Sequence, residues 1–404
     1  MRADVKLLVA DLIPLSGSSN AEYFELRARE WCEFLILWYV RKAGRITMPA
    51  FYELINMVLN ADSCTTILDE MKALPDADIR RAAHEMESKR DSAEREYSAI
   101  IGEILKSISF LSDPAAYETL SGEDFSMEAL CKEDCNVYLI IPAEYLAQLA
   151  PMIRAIVGAA ILYKFRHPQA ERVLLVIDEA ATLGNFESLL RAYTYGRGMG
   201  IRAWSIWQNV AQISRNYGRD AMSAFIGSSQ VRQFFGVRDF ETAHMLSSML
   251  GTQTLEYDNE LAQHAAALQK AEVINDLLSG GDLFDAVFKF RYYEQAASNR
   301  TKQPRLLMTP DEILNMPEDR QILYISGLDL KPIYANKYPY FSRPEMAGNY
   351  LPNPYHKPTD QVPIATRKGA RWVPVVTESV PAKYAALPQY QSGNWSYVKG
   401  YRPA

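Results

Sequence analysis

The stretch LLVIDEAATLGNF, residues 174–186, ends an aliphatic run on two acids, Asp178 and Glu179. Ionised carboxylates at the end of a buried strand are costly unless they are hydrogen-bonded, paired or bound to a cation. Two chemistries suit them in this order. A first carboxylate can hold Mg2+ through the waters that this ion retains. A second, one residue on, can accept a proton from an attacking water. The plain alternative is a strand closed by an acid that caps the following helix.

Two further residues belong with them. IRAWSIW, residues 201–207, reads as the next strand and is followed by Gln208. A polar amide at the tip of the strand beside the acids stands where a γ-phosphate sensor belongs. Between the two strands, YGRGMG places Arg197 in a glycine-flanked turn. An exposed arginine in such a turn suits an arginine finger reaching across a subunit boundary. The alternative is a solvated turn residue.

The elements that must position these groups follow from periodicity. Residues 1–130 read as helical. In 21–44 the apolar residues Phe24, Leu26, Trp31, Phe34, Leu35 and Trp38 recur at three- and four-residue spacing before Gly44. A second helix is expected over 49–59. A third, long one is expected over 78–111, with Met86, Ala93, Tyr97, Ile100, Ile101, Ile104, Ile108 and Leu111 as its apolar stripe and a solvated, charge-rich opposite face. From Asn136 strands alternate with helices. The strands are 136–142 (NVYLIIP), 172–177 (RVLLVI), 201–207, 229–237 (SQVRQFFGV) and 320–327 (RQILYISG), the last preceded by a capped helix starting at Thr309 or Asp311. Such alternation predicts right-handed βαβ units and a parallel sheet with ligands at the carboxyl ends of its strands.

Composition sets bounds. The chain has 404 residues with a net charge of −6, so any contact with nucleic acid must be local. Cys32, Cys64, Cys131 and Cys135 are too few and too scattered for a disulfide framework or a zinc site, and read as reduced thiols. The longest apolar run near the start, residues 34–40, is far shorter than the ~20 residues of a membrane span. As written, the polypeptide is expected to be cytoplasmic. From Phe341 to Ala404 there are eight Lys or Arg against three Asp or Glu, with scattered Pro and Tyr. This basic tail is expected to be extended and poorly ordered, a solvated terminus or a partner-binding arm.

The aliphatic strand followed by Asp-Glu is the Walker B pattern of P-loop NTPases, and the chain as a whole resembles the type IV secretion coupling proteins, conjugative DNA-transfer ATPases of the TraG/TraD type. The resemblance covers about residues 5–341. It rests on VYLIIPAEYLAQLAPMIRAIVGAAI, LLVIDEAATLG, GRGMGIRAWSIWQNVAQISRNYG, GSSQVRQFFGVRDFETAHMLSSMLGTQT and RLLMTPDEILNMPEDRQILYISGLDLKPIYANKYPYF. It implies an α/β, RecA-like motor with an inserted all-α domain, ATP and Mg2+ as cofactors, and a homohexameric ring. It also implies type IV secretion channel components, a relaxase or effector substrate and single-stranded DNA as partners. Residue by residue, it carries the Walker B acids onto Asp178 and Glu179, the arginine finger onto Arg197 and the sensor glutamine onto Gln208. The domains it suggests are an entry segment over 1–14, an all-α domain over 15–130, the carboxyl-terminal part of the motor over 131–341 and the tail over 342–404.

The chain departs from that pattern. It contains no G-x-x-x-x-G-K-[ST] and no Gly-Lys dipeptide, and the backbone amides and lysine of that loop are what hold the phosphates. The expectation is therefore an incomplete parallel sheet, without first strand, P-loop or the family's amino-terminal membrane anchor. The complete family member would lie at the cytoplasmic face of the bacterial inner membrane. Alone, the chain is expected not to hydrolyse ATP. Three readings remain open: a motor fragment, a non-catalytic substrate adaptor or inactive remnant, and another ring-shaped DNA-pumping ATPase.

Overall fold

The computed structural model describes residues 2–122, 125–258, 260–298, 300–338, 360–366, 369–382, 384–385 and 393–400. The chain divides into two units, residues 1–230 and 231–404. The first opens with helices α1 (Arg2–Leu12), α2 (Ser19–Ala43), α3 (Met48–Leu59), α4 (Ala61–Ala73), α5 (Ala77–Ser92) and α6 (Glu94–Ile108), followed by the short α7 (Pro114–Thr119) and α8 (Ala129–Lys132). Their starts are chemically marked. Thr47, Asn60 and Asp76 cap α3, α4 and α5 with side-chain oxygens, and Pro49 opens α3. Gly44, at φ 81°, ends α2 in a backbone conformation that L side chains resist. The apolar stripes of these helices close on a core holding Trp31, Phe34, Phe51, Leu68, Ile104 and Phe110, to which α1 contributes Val5, Val9 and Leu12. The long helix expected over 78–111 is broken. Ala93 leaves helical geometry at φ −140° and ψ 53°, and the Ser92 hydroxyl bonds back to the Ser88 carbonyl, a bond that bends helices.

The rest of the first unit is α/β. It comprises α9 (Leu146–Arg166), β1 (Val173–Ile177), α10 (Glu187–Thr194), β2 (Ile201–Ser205), α11 (Val210–Tyr217) and α12 (Arg219–Ser228). β1 and β2 pair in parallel, Val173 opposite Ile201 and Ile177 opposite Ser205, as the alternation predicts. Residues 136–142 form no strand. Among the described residues no neighbour offers them a ladder, and Tyr138 and Ile140 are exposed. Among the described residues one helical stretch, Ala143–Arg166, is long and apolar enough to cross a membrane by length and composition. In this fold it is a core helix that buries Arg154, Gly158, Ile161 and Lys164.

The second unit holds β3 (Val231–Phe234), α13 (Phe240–Leu250), β4 (Thr252–Asp258), α14 (Glu260–Leu278), α15 (Leu283–Ser298), β5 (Arg300–Leu306), α16 (Pro310–Leu314), β6 (Arg320–Ile325), β7 (Ile333–Asn336), β8 (Gln361–Thr366), β9 (Gly369–Ser379) and β10 (Asn394–Val398). A capping box at Thr309 and Glu312 starts α16, as read from the sequence. β3 and β6 pair antiparallel rather than parallel, with β7 beyond β6. Apolar runs mark a buried strand without encoding the direction of its neighbour. β4 and β5 form a seven-residue antiparallel ladder that carries the helical hairpin α14–α15. In the basic tail, β8, β9 and β10 form an antiparallel sheet over Val362, Ile364 and Val398. Residues 341–359, 367–368, 383, 386–392 and 401–404 of that tail lie outside the described residues.

Candidate functional site

The site is built at the carboxyl ends of β1 and β2. The ladder continues past both strands: Ile206 N–H donates to the Ile177 carbonyl at 2.9 Å, and Ala180 N–H donates to the Ile206 carbonyl at 3.1 Å. This register sets Asp178 and Glu179 beside Gln208. Gln208 Nε2 donates to both oxygens of the Glu179 carboxylate, at 3.1 and 3.3 Å. Asp178 is exposed, and its Oδ1 accepts the Glu179 N–H at 3.0 Å. Among the described residues its second oxygen has no hydrogen-bond donor.

Glu179 stands at φ 50° and ψ 44°, left-handed backbone that a non-glycine residue adopts at a cost of roughly 1–3 kcal/mol. The turn Ala180–Leu183 holds it there. Thr182 donates to the Glu179 carbonyl through N–H at 2.9 Å and through Oγ1 at 2.8 Å. Asn216 of α11 donates to the Ala181 carbonyl at 2.8 Å. Strain kept in place by three hydrogen bonds aims the carboxylate across β2 rather than along the next helix, so Glu179 is not a simple cap.

Gln208 is itself held. Its N–H donates to Gln212 Oε1 at 3.0 Å, and Gln212 Nε2 returns a bond to Gln208 Oε1 at 3.3 Å. Asn209 caps α11 through Gln212 N–H. Behind β2, Ser205 Oγ meets Tyr193 Oη at 2.7 Å and accepts Trp207 Nε1–H at 2.7 Å. Tyr193, Trp207 and Tyr217 pack edge-on around Phe225.

Arg197 is not brought to this cluster. It is exposed in the turn Gly196–Met199, which precedes β2, whereas Gln208 follows it. A five-residue strand puts the two roughly 16 Å apart. The turn is fixed from below. Gly200 has φ 76°, and a Cβ there would stand 2.9 Å from the buried Lys164 Nζ, which donates to the His167 and Ala170 carbonyls.

A second network, unread in the sequence, anchors the acidic loop. Arg154 of α9 is buried and donates to three carbonyls: Asp11 at 2.6 Å, Leu12 at 3.1 Å and Leu183 at 2.8 Å. It thereby ties the end of α1 to the turn that follows Glu179. The buried Asp11 carboxylate accepts Ser188 Oγ–H of α10 at 2.8 and 2.9 Å. Burial pushes the Asp11 pKa up to about 7, against the opposing pull of Ser188 and the Arg154 and Arg191 charges. Burial likewise lowers Arg154 to about 10. The one signal available was a lone arginine inside the apolar run APMIRAIVGAAI. Gln212 and Asn216 carried none beyond their place in the quoted segment.

Among the described residues no cluster of three or more His, Cys, Asp or Glu could hold a metal directly. One exposed carboxylate with a spare oxygen fits Mg2+, which takes few protein ligands.

Comparisons with known proteins bear on what this arrangement serves. Residues 1–275 and 289–363 match the family described as Type IV secretory system Conjugative DNA transfer. A probable conjugal transfer protein TraG of Sinorhizobium fredii is 27% identical over 257 residues, 62% of this chain and 35% of that protein. The type IV secretion system-coupling protein VirD4 of Bartonella quintana is 23% identical over 345 residues, 84% of this chain and 49% of that protein. The chain thus spans about a third to a half of the length of these relatives. Among solved structures, the plasmid coupling protein TrwB in complex with the ATP analogue ADPNP aligns with a TM-score of 0.60 at 17% identity, over 84% of this chain and 69% of that one. TrwB in complex with ADP and Mg2+ aligns at 0.58 and 16%, over 84% of this chain and 68% of that one. At such identities the likeness concerns the fold, and it agrees with the RecA-like α/β class.

Proposed function

The chain belongs to the type IV secretory system conjugative DNA-transfer family, and on that premise we propose that it forms the part of a coupling-protein ATPase that carries the hydrolytic residues. The observation that carries this reading is the contact of Gln208 with Glu179 at the ends of two parallel strands. Glu179 orients an attacking water and takes its proton at a carboxylate oxygen. Gln208 holds that carboxylate and reports on what occupies the space beside it. Asp178, with one oxygen spare, is the residue to hold Mg2+ through its water shell. When bound, the ion would neutralise charge on phosphate oxygens. The triphosphate itself fits these residues only in part, because the 404 residues supply no phosphate-cradling loop. That cradle must come from another polypeptide segment.

Within this proposal Arg197 serves the nucleotide of a neighbouring subunit. Its place in an exposed turn at the start of β2, while Glu179 and Gln208 follow the strand ends, supports a role toward an adjoining copy. The complete assembly is then a ring, hexameric in the family it resembles. It would pass relaxase-bound single-stranded DNA or a protein effector to a type IV secretion channel from the cytoplasmic face of the inner membrane. Residues 15–130 would act as an all-α domain beside the motor. The TrwB complexes with ADP and Mg2+ and with ADPNP support nucleotide and Mg2+ as the cofactors. The test is complementation: the chain alone should not turn over ATP, and should gain turnover when joined to a coupling-protein segment bearing G-x-x-x-x-G-K-[ST]. A folded fusion that binds ATP and stays inert would leave the adaptor reading in its place.

A further inference from the structure

The hairpin α14–α15 is built inside out. Its seam holds the buried Ala266 and Ala286 and the half-buried Phe290, whose ring centroid lies 4.3 Å from Lys270 Nζ, itself 3.2 Å from Glu294. Other large apolar residues point away from it. Phe284 is 87% exposed, Phe288 78% and Tyr292 65%, and their four-residue spacing puts them in one stripe on α15, opposite Ala286. Leu278 and Leu283 at the tip are also exposed. A two-helix unit that shows its aromatics to solvent has an unfilled layer. Residues 276–288, which include the tip, fall between the two segments that match the family.

The surroundings discriminate among occupants. Asp276, Asp282 and Asp285 sit at the tip, where an anionic lipid surface would be repelled. Along the aromatic stripe the rim carries both signs, with Asp285 beside Lys289 and Arg291. The exposed Lys289–Asp285 pair can exchange partners, and Arg291 has no ion-pair partner among the described residues. A face apolar at its centre, with both signs of charge along its rim, can be complementary to itself, as a two-fold interface requires. The three aromatics alone expose about 460 Å2, from roughly 200 Å2 per ring side chain. With the tip leucines this approaches the ~800 Å2 per partner of a standard interface.

We propose that the α14–α15 hairpin is a dimerisation arm that packs its Phe284–Phe288–Tyr292 stripe against the same stripe of a second copy, closing a four-helix bundle. The pairing needs no nucleotide and does not rest on the ATPase reading. The test is sedimentation velocity of the full chain over a concentration series, without nucleotide. The wild type should associate reversibly. The Phe284→Asp/Phe288→Asp double variant should be monomeric at concentrations at least 100-fold higher, with an unchanged far-ultraviolet spectrum. Arg291→Glu, which disturbs only the rim, should weaken association about tenfold. A monomeric wild type, or association unaffected by the double substitution, overturns the proposal. So does wild-type flotation with phosphatidylcholine vesicles abolished by the same variant while the free chain stays monomeric, since lipid would then be the occupant.

Discussion

Asp11→Asn tests the buried network that ties α1 to the acidic loop. Asp11 contacts Ser188 of α10 and is faced by Arg154 of α9, Arg191 of α10 and, further off, Arg29 of α2. Its pKa is raised from 3.8 to about 7 in the folded chain. A carboxyl that holds its proton more tightly when folded stabilises the fold below its unfolded value, and that contribution is lost as pH rises from about 4 to about 7. Three units correspond to about 4 kcal/mol at full strength. Asparagine keeps an acceptor for the Ser188 hydroxyl and never ionises. Urea midpoints followed by tryptophan fluorescence should therefore nearly coincide for wild type and variant at pH 4.5. They should diverge in favour of the variant up to pH 7.5, reaching a few kcal/mol, and stay parallel above that. Parallel pH profiles from 4.5 to 8, or a variant that loses stability with rising pH as the wild type does, would refute the reasoning.

Further outcomes follow from the same contacts. Arg154→Met should cost about 3–5 kcal/mol in urea denaturation, because it strips three buried carbonyls of their donor and leaves Asp11 without its nearest charge; a loss below 1 kcal/mol would mean that the loop is anchored elsewhere. Glu179→Gly should match or slightly exceed wild-type stability, while Glu179→Val should fall below it by about 1–3 kcal/mol, since only glycine is at ease at φ 50°; equal midpoints for both variants would contradict the strain. Limited proteolysis should release residues 15–130 as a helical piece by cleavage near the joints, and early cleavage within 78–111 would argue against a separable domain. In the P-loop-complemented assembly, Arg197→Ala subunits mixed with Glu179→Gln subunits should recover turnover that neither has alone. Unchanged turnover of pure Arg197→Ala would return Arg197 to a solvated turn residue.

What the sequence disclosed was local. An aliphatic run ending on Asp178 and Glu179 states both a strand and a charge at its end, and parallel neighbours in register bring Gln208 alongside. Glu179 and Gln208 do touch, while Asp178 accepts only the Glu179 N–H. The left-handed backbone of Glu179 has no signature in its side chain, because glutamate is not a residue that favours it. Asp11, Arg154 and Ser188 lie up to 177 positions apart, and only the packing of α1 against α9 and α10 joins them. The break at Ser92 and Ala93 interrupts a stripe whose apolar spacing runs on undisturbed. Residues 136–142 have strand-like composition without a partner to pair with. The direction of β6 against β3 depends on how the chain returns, which no hydrophobic pattern records.

The central claim is that Asp178, Glu179 and Gln208 form the hydrolytic half of an ATPase site. The direct measurement is ATP binding and steady-state turnover in the chain joined to a P-loop segment, comparing wild type with Glu179→Gln. The account predicts ATP affinity within about threefold of wild type and turnover lowered by ~100-fold or more, the share that a positioned general base supplies. Turnover retained by Glu179→Gln at equal ATP affinity would contradict it.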